Sequence, residues 1–164
     1  MKLLDASVII CIYTEIKCPE ILKHWRDQGY TINICKFVHN EIQNNSDTYE
    51  KVRPDISNNL IKCIQEVNTE EIEQFKNRHP NLGLGEIETI ITGIKLKKLG
   101  KRNYCVIDDG LARKIAKKYG ISLTGTYGLT KRLREKNVLN VSQYNLILEK
   151  LRGSKFRISF DKLC

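Results

Sequence analysis

The sequence has no long hydrophobic run, since no stretch approaches the roughly 18 apolar residues that a membrane-spanning helix needs. The apolar residues 8–13 follow an acid and lack the basic leader and cleavage site of a signal peptide. We therefore expect a cytoplasmic protein with no membrane segment. A chain of 164 residues, 41% hydrophobic and 29% charged, predicts one soluble globular domain.

Cysteine patterns that bind metal are also missing. The six cysteines include no Cys-x-x-Cys pair and no histidine at zinc-finger spacing. Most lie within or beside apolar runs, as Cys11, Cys35 and Cys105 do, so reduced and buried thiols are expected. The absence of a P-loop, a Gly-x-Gly-x-x-Gly and a Gly-x-Ser-x-Gly motif leaves phosphate-cradle and serine-hydrolase functions without support.

Acidic residues are fewer than basic ones, 19 against 28, which gives a formal net charge of +9. Such a charge attracts polyanions through salt-sensitive contacts to phosphates. Nucleic acid is the natural partner, although a general excess of lysine explains the charge equally well when charge is taken alone.

Short apolar runs alternate with longer stretches of helical period, which predicts βαβ units and a parallel sheet. Residues 43–80 are polar and poorly patterned, and they fit one or two helices or a strand near residues 61–67. Strands are predicted at residues 2–4, 31–35, 103–107 and 121–123. Helices are predicted at about residues 19–28, 37–45, 84–99, 111–119, 126–137 (capped by Thr126) and 142–152.

Two acids lie at positions where a solvent-exposed surface residue is not expected. Asp5 closes the first predicted strand, where parallel sheets bind ligands, although capping of the following helix explains it about as well. Glu41 falls between Phe37 and Val38 on a helical wheel, within the predicted apolar face. A buried carboxylate needs a cation, hydrogen-bond donors or a cleft, and a salt bridge to a lysine is the alternative explanation.

Three further acids lie at element ends. Glu86 begins the helix at residues 84–99 near the edge of its apolar face, and Glu88 is predicted to lie slightly further off on the other side; the helix dipole alone also explains either acid. Asp108 and Asp109 follow an apolar strand, and adjacent carboxylates repel each other unless solvent or a cation relieves them. Only one of the two can share the orientation of Asp5, so the other is a helix cap or a supporting group. Oxygen ligands without a His or Cys cluster favour Mg²⁺ or Mn²⁺.

These segments resemble the PIN-domain family, and more narrowly its prokaryotic branch that includes VapC-type toxins. The tail KFRIS at residues 155–159 also looks like the end of one such subfamily. The matching segments are LLDAS at residues 3–7, VHNE at 38–41, GEIETI at 85–90, VIDDGLAR at 106–113 and LTGTYGL at 123–129.

The resemblance implies a Rossmann-like three-layer α/β/α sandwich with a central parallel sheet. It implies a single domain over residues 1–164, with a C-terminal helical extension from about residue 141. It also implies a Mg²⁺- or Mn²⁺-dependent endoribonuclease whose partners are RNA, a second copy in a homodimer and, if the chain is the toxin of a toxin–antitoxin pair, a small antitoxin protein. The alternative is a PIN-like module that binds RNA or protein without cleavage and keeps a structural cation site.

The resemblance assigns roles residue by residue. Asp5, Glu41, Glu86 and Asp109 match the catalytic acids, and Asp108 remains a further candidate metal ligand. Ser7 and Thr124 are candidates to support the acids. Arg113 and Lys114 are candidates to guide the RNA backbone, whereas Lys117 and Lys118 are expected to be a solvated helix face that points away from Leu111 and Ile115.

Overall fold

A five-stranded parallel sheet forms the centre of the computed structural model, which describes residues 1–154. Helices cover both faces, so the predicted three-layer α/β/α sandwich is confirmed. The strand order is β3-β2-β1-β4-β5, and every neighbouring pair is parallel. The strands are β1 (Lys2–Leu4), β2 (Ile32–Cys35), β3 (Ile61–Ile64), β4 (Tyr104–Val106) and β5 (Leu123–Thr124).

The helices of the described residues connect and follow these strands. No helix among them is long and apolar enough to span a membrane. The helices are α1 (Ala6–Ile10, continued by a π-helical turn at Cys11–Glu15), α2 (Glu20–Asp27), α3 (Lys36–Gln43), α4 (Ser46–Ser57), α5 (Thr69–Arg78), α6 (Leu84–Lys98), α7 (Gly110–Lys118), α8 (Thr126–Glu135) and α9 (Val141–Gly153).

The order in which the chain adds strands to the sheet reverses at β1. The chain builds from β1 through β2 to β3 on one side, and then β4 pairs with the other side of β1 and β5 follows. The Asp5 N–H donates to the Val106 carbonyl over 3.0 Å, which keeps the carboxyl ends of β1 and β4 level. Open α/β sheets bind ligands outside such a reversal. Asp5, Asp108 and Asp109 all lie at this edge because they directly follow these two strands.

The poorly patterned middle of the chain contains two helices and a strand. The sequence left these as alternatives because α4 is mostly polar and buries only Thr48, Val52 and Asp55. β3 is an edge strand, and it buries Ile61 while Lys62 and Cys63 are exposed. A strand with one buried residue has too little alternation to be recognised from periodicity.

Several details of the sequence-based interpretation are corrected. Thr126 is the first residue of α8 and Gly125 occupies the capping position, so the predicted cap at Thr126 is wrong. Leu111, predicted to face inward on α7, is 42% exposed because it lies in the first turn, beyond the edge of the sheet. The thiols of Cys11, Cys18, Cys35 and Cys105 are free and buried as predicted, whereas Cys63 is exposed; Cys164 and the tail at residues 155–159 lie outside the described residues.

Lys2 is buried at the amino end of the sheet, with 1% of its surface exposed. Within residues 1–154 its Nζ has no hydrogen-bond partner, and the ammonium lies over the rings of Trp25, Tyr104 and Tyr30 at 3.9, 4.4 and 4.6 Å from their centroids. These cation–π contacts offset part of the cost of burying the charge. Burial, with repulsion from Arg132, still lowers the pKa of Lys2 to about 8.

Replacing Lys2 by methionine should change how stability depends on pH. An unfolded lysine titrates near 10.5, so between pH 8 and 10.5 the unfolded chain binds more protons than the native protein and stability rises with pH. Relative to Lys2→Met, the wild type should gain up to about 3 kcal/mol of unfolding free energy over this interval. Urea unfolding of both proteins at pH 7.5 and pH 10 measures the difference; an equal difference at both values would contradict the assignment.

Candidate active site

Asp5 is the most buried acid at the carboxyl edge, with 2% of its surface exposed. Its Oδ2 accepts hydrogen bonds from Ser7 Oγ at 2.7 Å and from Ser7 N at 3.3 Å, so Asp5 caps α1 and Ser7 supports it. Its Oδ1 is buried and has no partner among the described residues. Burial, with repulsion from Glu41, raises the pKa of Asp5 to about 6, although the Ser7 bonds act in the opposite direction. Both the capping and the functional interpretations of Asp5 therefore fit the geometry.

Glu41 is exposed, so the prediction that it lies within an apolar face is wrong. Val38 and Ile42 form the buried face of α3, and Phe37 is only half-buried. The helical wheel failed because it counted Phe37 in the buried face, whereas the face is centred on Val38 and Ile42 and leaves Glu41 outside it.

The Glu41 carboxylate nevertheless has a defined partner. Its Oε1 accepts a hydrogen bond from the Gly85 N–H at 3.0 Å, and a Cβ at Gly85 would lie 2.9 Å from both carboxylate oxygens. Glycine thus allows the carboxylate to approach the start of α6. The ion pairs of residues 1–154 join Lys51 to Asp47 and Lys95 to Glu71, so the alternative of a lysine salt bridge to Glu41 is not formed.

Glu86 is half-buried in the first turn of α6, and its Oε2 accepts a hydrogen bond from the Gly83 N–H at 2.9 Å. Burial, with smaller contributions from the charges of Asp5, Asp109 and Glu41, raises the pKa of Glu86 to about 7, although the Gly83 hydrogen bond acts in the opposite direction. The charges of Asp5, Glu41 and Asp109 therefore all act on Glu86. We call these four residues the acid cluster.

The two members of the Asp108-Asp109 doublet have different surroundings. Asp109 is exposed and caps α7, where its Oδ1 accepts a hydrogen bond from the Ala112 N–H at 2.8 Å. The Thr126 N–H donates to Asp108 Oδ1 at 2.8 Å, and the Thr126 hydroxyl donates to Asp108 Oδ2 at 2.5 Å. Burial raises the pKa of Asp108, while Thr126 and the Arg113 guanidinium lower it. Asp108 therefore ties the start of α8 to the end of β4.

Two residues at this edge were not predicted from the sequence. Thr126 is buried and holds Asp108, whereas the predicted supporting residue Thr124 ends β5 and has its hydroxyl against Gly128. Glu88, expected to lie further from the buried face than Glu86, is 1% exposed and accepts a hydrogen bond from the Phe37 N–H at 2.7 Å. The alternation of acids at 86 and 88 on one helix was the available signal for Glu88, because both lie near the edge of the isoleucine face.

The basic candidates also differ from expectation. Arg113 is half-buried, and its Nη1 donates to the Ile107 carbonyl at 2.7 Å, so this end of the guanidinium supports the strand end that carries Asp108. Lys114 is exposed and lines a cleft, and Lys118, which was predicted to be merely solvated, lines the same cleft.

The acid cluster offers only carboxylate oxygens as donors to a cation. Within the described residues, no three acid, histidine or cysteine side chains are close enough, as they stand, to hold one metal ion together. Each of the four carboxylates instead accepts a hydrogen bond from a backbone N–H group. Mg²⁺ keeps several waters and binds through one or two carboxylates, so full closure is not required. The unpartnered Oδ1 of Asp5 and the crowding of like charges fit a divalent cation.

Neutralising Asp5 should stabilise the protein when divalent cations are removed. The native carboxyl titrates near 6 and an unfolded aspartate near 3.8, so the native state binds more protons in between and stability falls as pH rises from about 4 to 6. In EDTA, Asp5→Asn should therefore melt at a higher temperature than the wild type at pH 7.5 and lose this advantage at pH 4. A melting difference that does not change with pH would show that Asp5 is not destabilised by its surroundings.

Comparison with known proteins agrees with this architecture. A model of the PIN-domain family DUF3368 matches residues 1–163. No curated protein and no solved structure shows a significant match to the chain. PIN domains are generally nucleases and typically use divalent metal ions. With a parallel sheet, acids at its carboxyl edge and a match over almost its whole length, the chain belongs to the PIN-domain family.

Proposed function

We propose that this PIN domain is a metal-dependent endoribonuclease that hydrolyses phosphodiester bonds in RNA. The observation that carries the proposal is the buried and unpartnered Oδ1 of Asp5 beside Glu41 and Glu86. A buried carboxylate oxygen without a donor is costly, and a structural helix cap needs only the other oxygen, Oδ2. The cost is explained if Oδ1 binds a cation during function.

The residues that would hold a cation are Asp5, Glu41, Glu86 and Asp109. Their oxygen donors suit Mg²⁺ or Mn²⁺ better than zinc. Such a cation would supply activation of water and compensation of the charge that grows on the phosphodiester. We assign Asp108 a positioning role instead, because both of its oxygens are occupied by Thr126.

The chain itself orients these carboxylates. The Ser7 hydroxyl fixes one oxygen of Asp5 and leaves the other without a partner among the described residues. The N–H groups of Gly85, Gly83 and Ala112 fix Glu41, Glu86 and Asp109, respectively. The rotamers of the four acids are therefore set before substrate binds, which is a requirement for efficient catalysis.

RNA is proposed as the substrate because the net charge of +9 favours a polyanion. The resemblance to VapC-type toxins extends the proposal to a cytoplasmic toxin that forms a homodimer and is inhibited by a small antitoxin. The competing proposal is a module that binds RNA or protein without cleaving it. The acid cluster favours cleavage, because binding of RNA alone gains nothing from four carboxylates that repel phosphate.

Cleavage should depend on Glu41. Because this side chain is exposed, Glu41→Gln should keep the fold while lowering RNA cleavage in Mn²⁺ by at least about 100-fold. Mixed single-stranded RNAs are incubated with wild type and variant, and products are resolved by gel.

A matched control is Glu135→Gln, an exposed glutamate at the last residue of α8. Helix α8 starts beside Asp108 and its ten residues carry Glu135 about 14 Å away along the axis. This variant should cleave like the wild type. Equal cleavage by both variants and the wild type would remove the proposed site, and RNA binding without any cleavage would favour the competing module.

Adding a methyl group at Gly85 should separate stability from activity. In Gly85→Ala the new Cβ would meet the Glu41 carboxylate at 2.9 Å, so the flexible side chain must move away and lose its N–H donor. Alanine favours a helix over glycine by up to about 1 kcal/mol, so the melting temperature should stay or rise. Cleavage should fall by about tenfold or more. Wild-type cleavage in this variant would show that the position of Glu41 is unimportant.

A further inference from the structure

A small cleft with basic walls lies beside the acid cluster. One wall is the end of α5 and the loop after it, with Arg78, Pro80 and Asn81, and the other is α7 with Lys114 and Lys118. Its volume is about 240 Å³. This is less than the 300–1,000 Å³ of pockets that enclose a whole small-molecule ligand. Its size therefore suits one unit of a polymer that passes across it. We call it the basic cleft.

The charges of the basic cleft are not neutralised by the protein. Lys114 and Lys118 are four residues apart on α7 and so project from the same face, while Arg78 faces them from the other wall. None of the residues that line the cleft is acidic. Both ion pairs of residues 1–154 lie elsewhere, so these three cations have no carboxylate partner within the described part of the chain. Three uncompensated cations around one small volume form a site for an anion.

Apolar surface lies between the cations. Leu111 is 42% exposed on this cleft and Ile115 lies beneath it. The His79 ring is fixed by a 3.0 Å contact with the Tyr119 hydroxyl and by a tilted contact with the Phe75 ring, 4.8 Å between centroids. A free phosphate needs no apolar surface, whereas a nucleotide presents both a charged phosphate and a flat apolar base. The lining therefore matches a nucleotide better than an inorganic anion.

The basic cleft continues into the acid cluster along both walls. Leu111 follows Asp109 by two residues, and Asn81 precedes Gly83, the donor to Glu86, by two residues. Two residues of chain span at most about 7 Å, so the cleft opens next to the acids. The loop after α5, which belongs to the first wall, is held by Lys76, whose Nζ donates to the Leu82 carbonyl at 2.5 Å. A single strand of RNA that reaches the acid cluster along this side must cross the basic cleft.

We propose that the basic cleft binds a nucleotide of single-stranded RNA that flanks the phosphodiester at the acid cluster. Lys114, Lys118 and Arg78 bind its phosphate, and Leu111, Ile115 and His79 contact its base or sugar. An unpaired base is required, because a paired base cannot leave its helix to reach the apolar surface. This inference rests on the proposed function for the identity of the substrate, and it is tested separately by binding without cleavage.

Binding is measured by fluorescence anisotropy in EDTA, where no cation supports cleavage. The probe is a labelled single-stranded RNA of about ten nucleotides, a usual length for single-strand binding sites. The matched control is Lys117→Gln, which removes the same charge from the same helix but from a residue outside the cleft. Lys114→Gln and Lys118→Gln should each weaken binding by about fivefold and lower the salt slope by about 0.7, while Lys117→Gln stays within about twofold.

A second variant separates the apolar contact from charge. Leu111→Ser is at an exposed position, so it should fold normally. It should weaken single-strand binding by about threefold or more and leave the salt slope unchanged, because it removes apolar contact and no charge. Binding of duplex RNA of the same sequence should not respond to Leu111→Ser.

Three results would overturn the inference. Equal losses in Lys117→Gln and Lys114→Gln would show that only net charge matters. Displacement of the RNA by inorganic phosphate beyond the effect of matched ionic strength would show a simple anion site. Equal effects of Leu111→Ser on single strands and duplex would remove the nucleotide contact. Failure of the proposed function is a different result, since the wild type would then bind RNA through the basic cleft but cleave none in Mn²⁺.

Discussion

The site depends on the gathering of helix N-termini at one edge of the parallel sheet. Each helix that follows a strand begins at the strand's carboxyl end, and the first turn of a helix has N–H groups with no partner inside the helix. Carboxylates satisfy these donors and complement the helix dipole. Every acid at this edge uses such a donor: Asp5 uses Ser7, Glu88 uses Phe37, Glu86 uses Gly83, Glu41 uses Gly85, Asp109 uses Ala112 and Asp108 uses Thr126.

The same donors do not fully compensate the charges that they hold. Hydrogen bonds from Ser7 and Gly83 lower the pKa values of Asp5 and Glu86, yet both pKa values remain above the ordinary range because burial and neighbouring carboxylates act more strongly. Asp108 shows the other use of this geometry, since Thr126 satisfies both of its oxygens. This edge of the sheet therefore has acids whose carboxylate oxygens all accept hydrogen bonds and acids with an oxygen that accepts none. Only the second kind has an oxygen available to a cation.

The parts of the site that follow from chain order could be predicted from the sequence, and the parts that follow from packing could not. Asp5 and the doublet were located because they come directly after apolar strands, and parallel strands end at one edge. Glu41 was located for the wrong reason, because the helical wheel counted Phe37 in the buried face, whereas α3 buries only Val38 and Ile42. Thr126 was not found because it lies 18 residues from Asp108, and no local pattern joins them.

Leu111 and Glu41 are both exposed where the helical wheel predicts burial. Both residues lie in helical segments near the edge, where positions that would be covered inside the sandwich remain open. On α3 the open position carries an acid, and on α7 it carries an apolar side chain between two cations. Our proposals assign the first surface to a cation and the second to a nucleotide. The two positions at which the apolar pattern and the packing disagree therefore lie on the two surfaces that the proposals use.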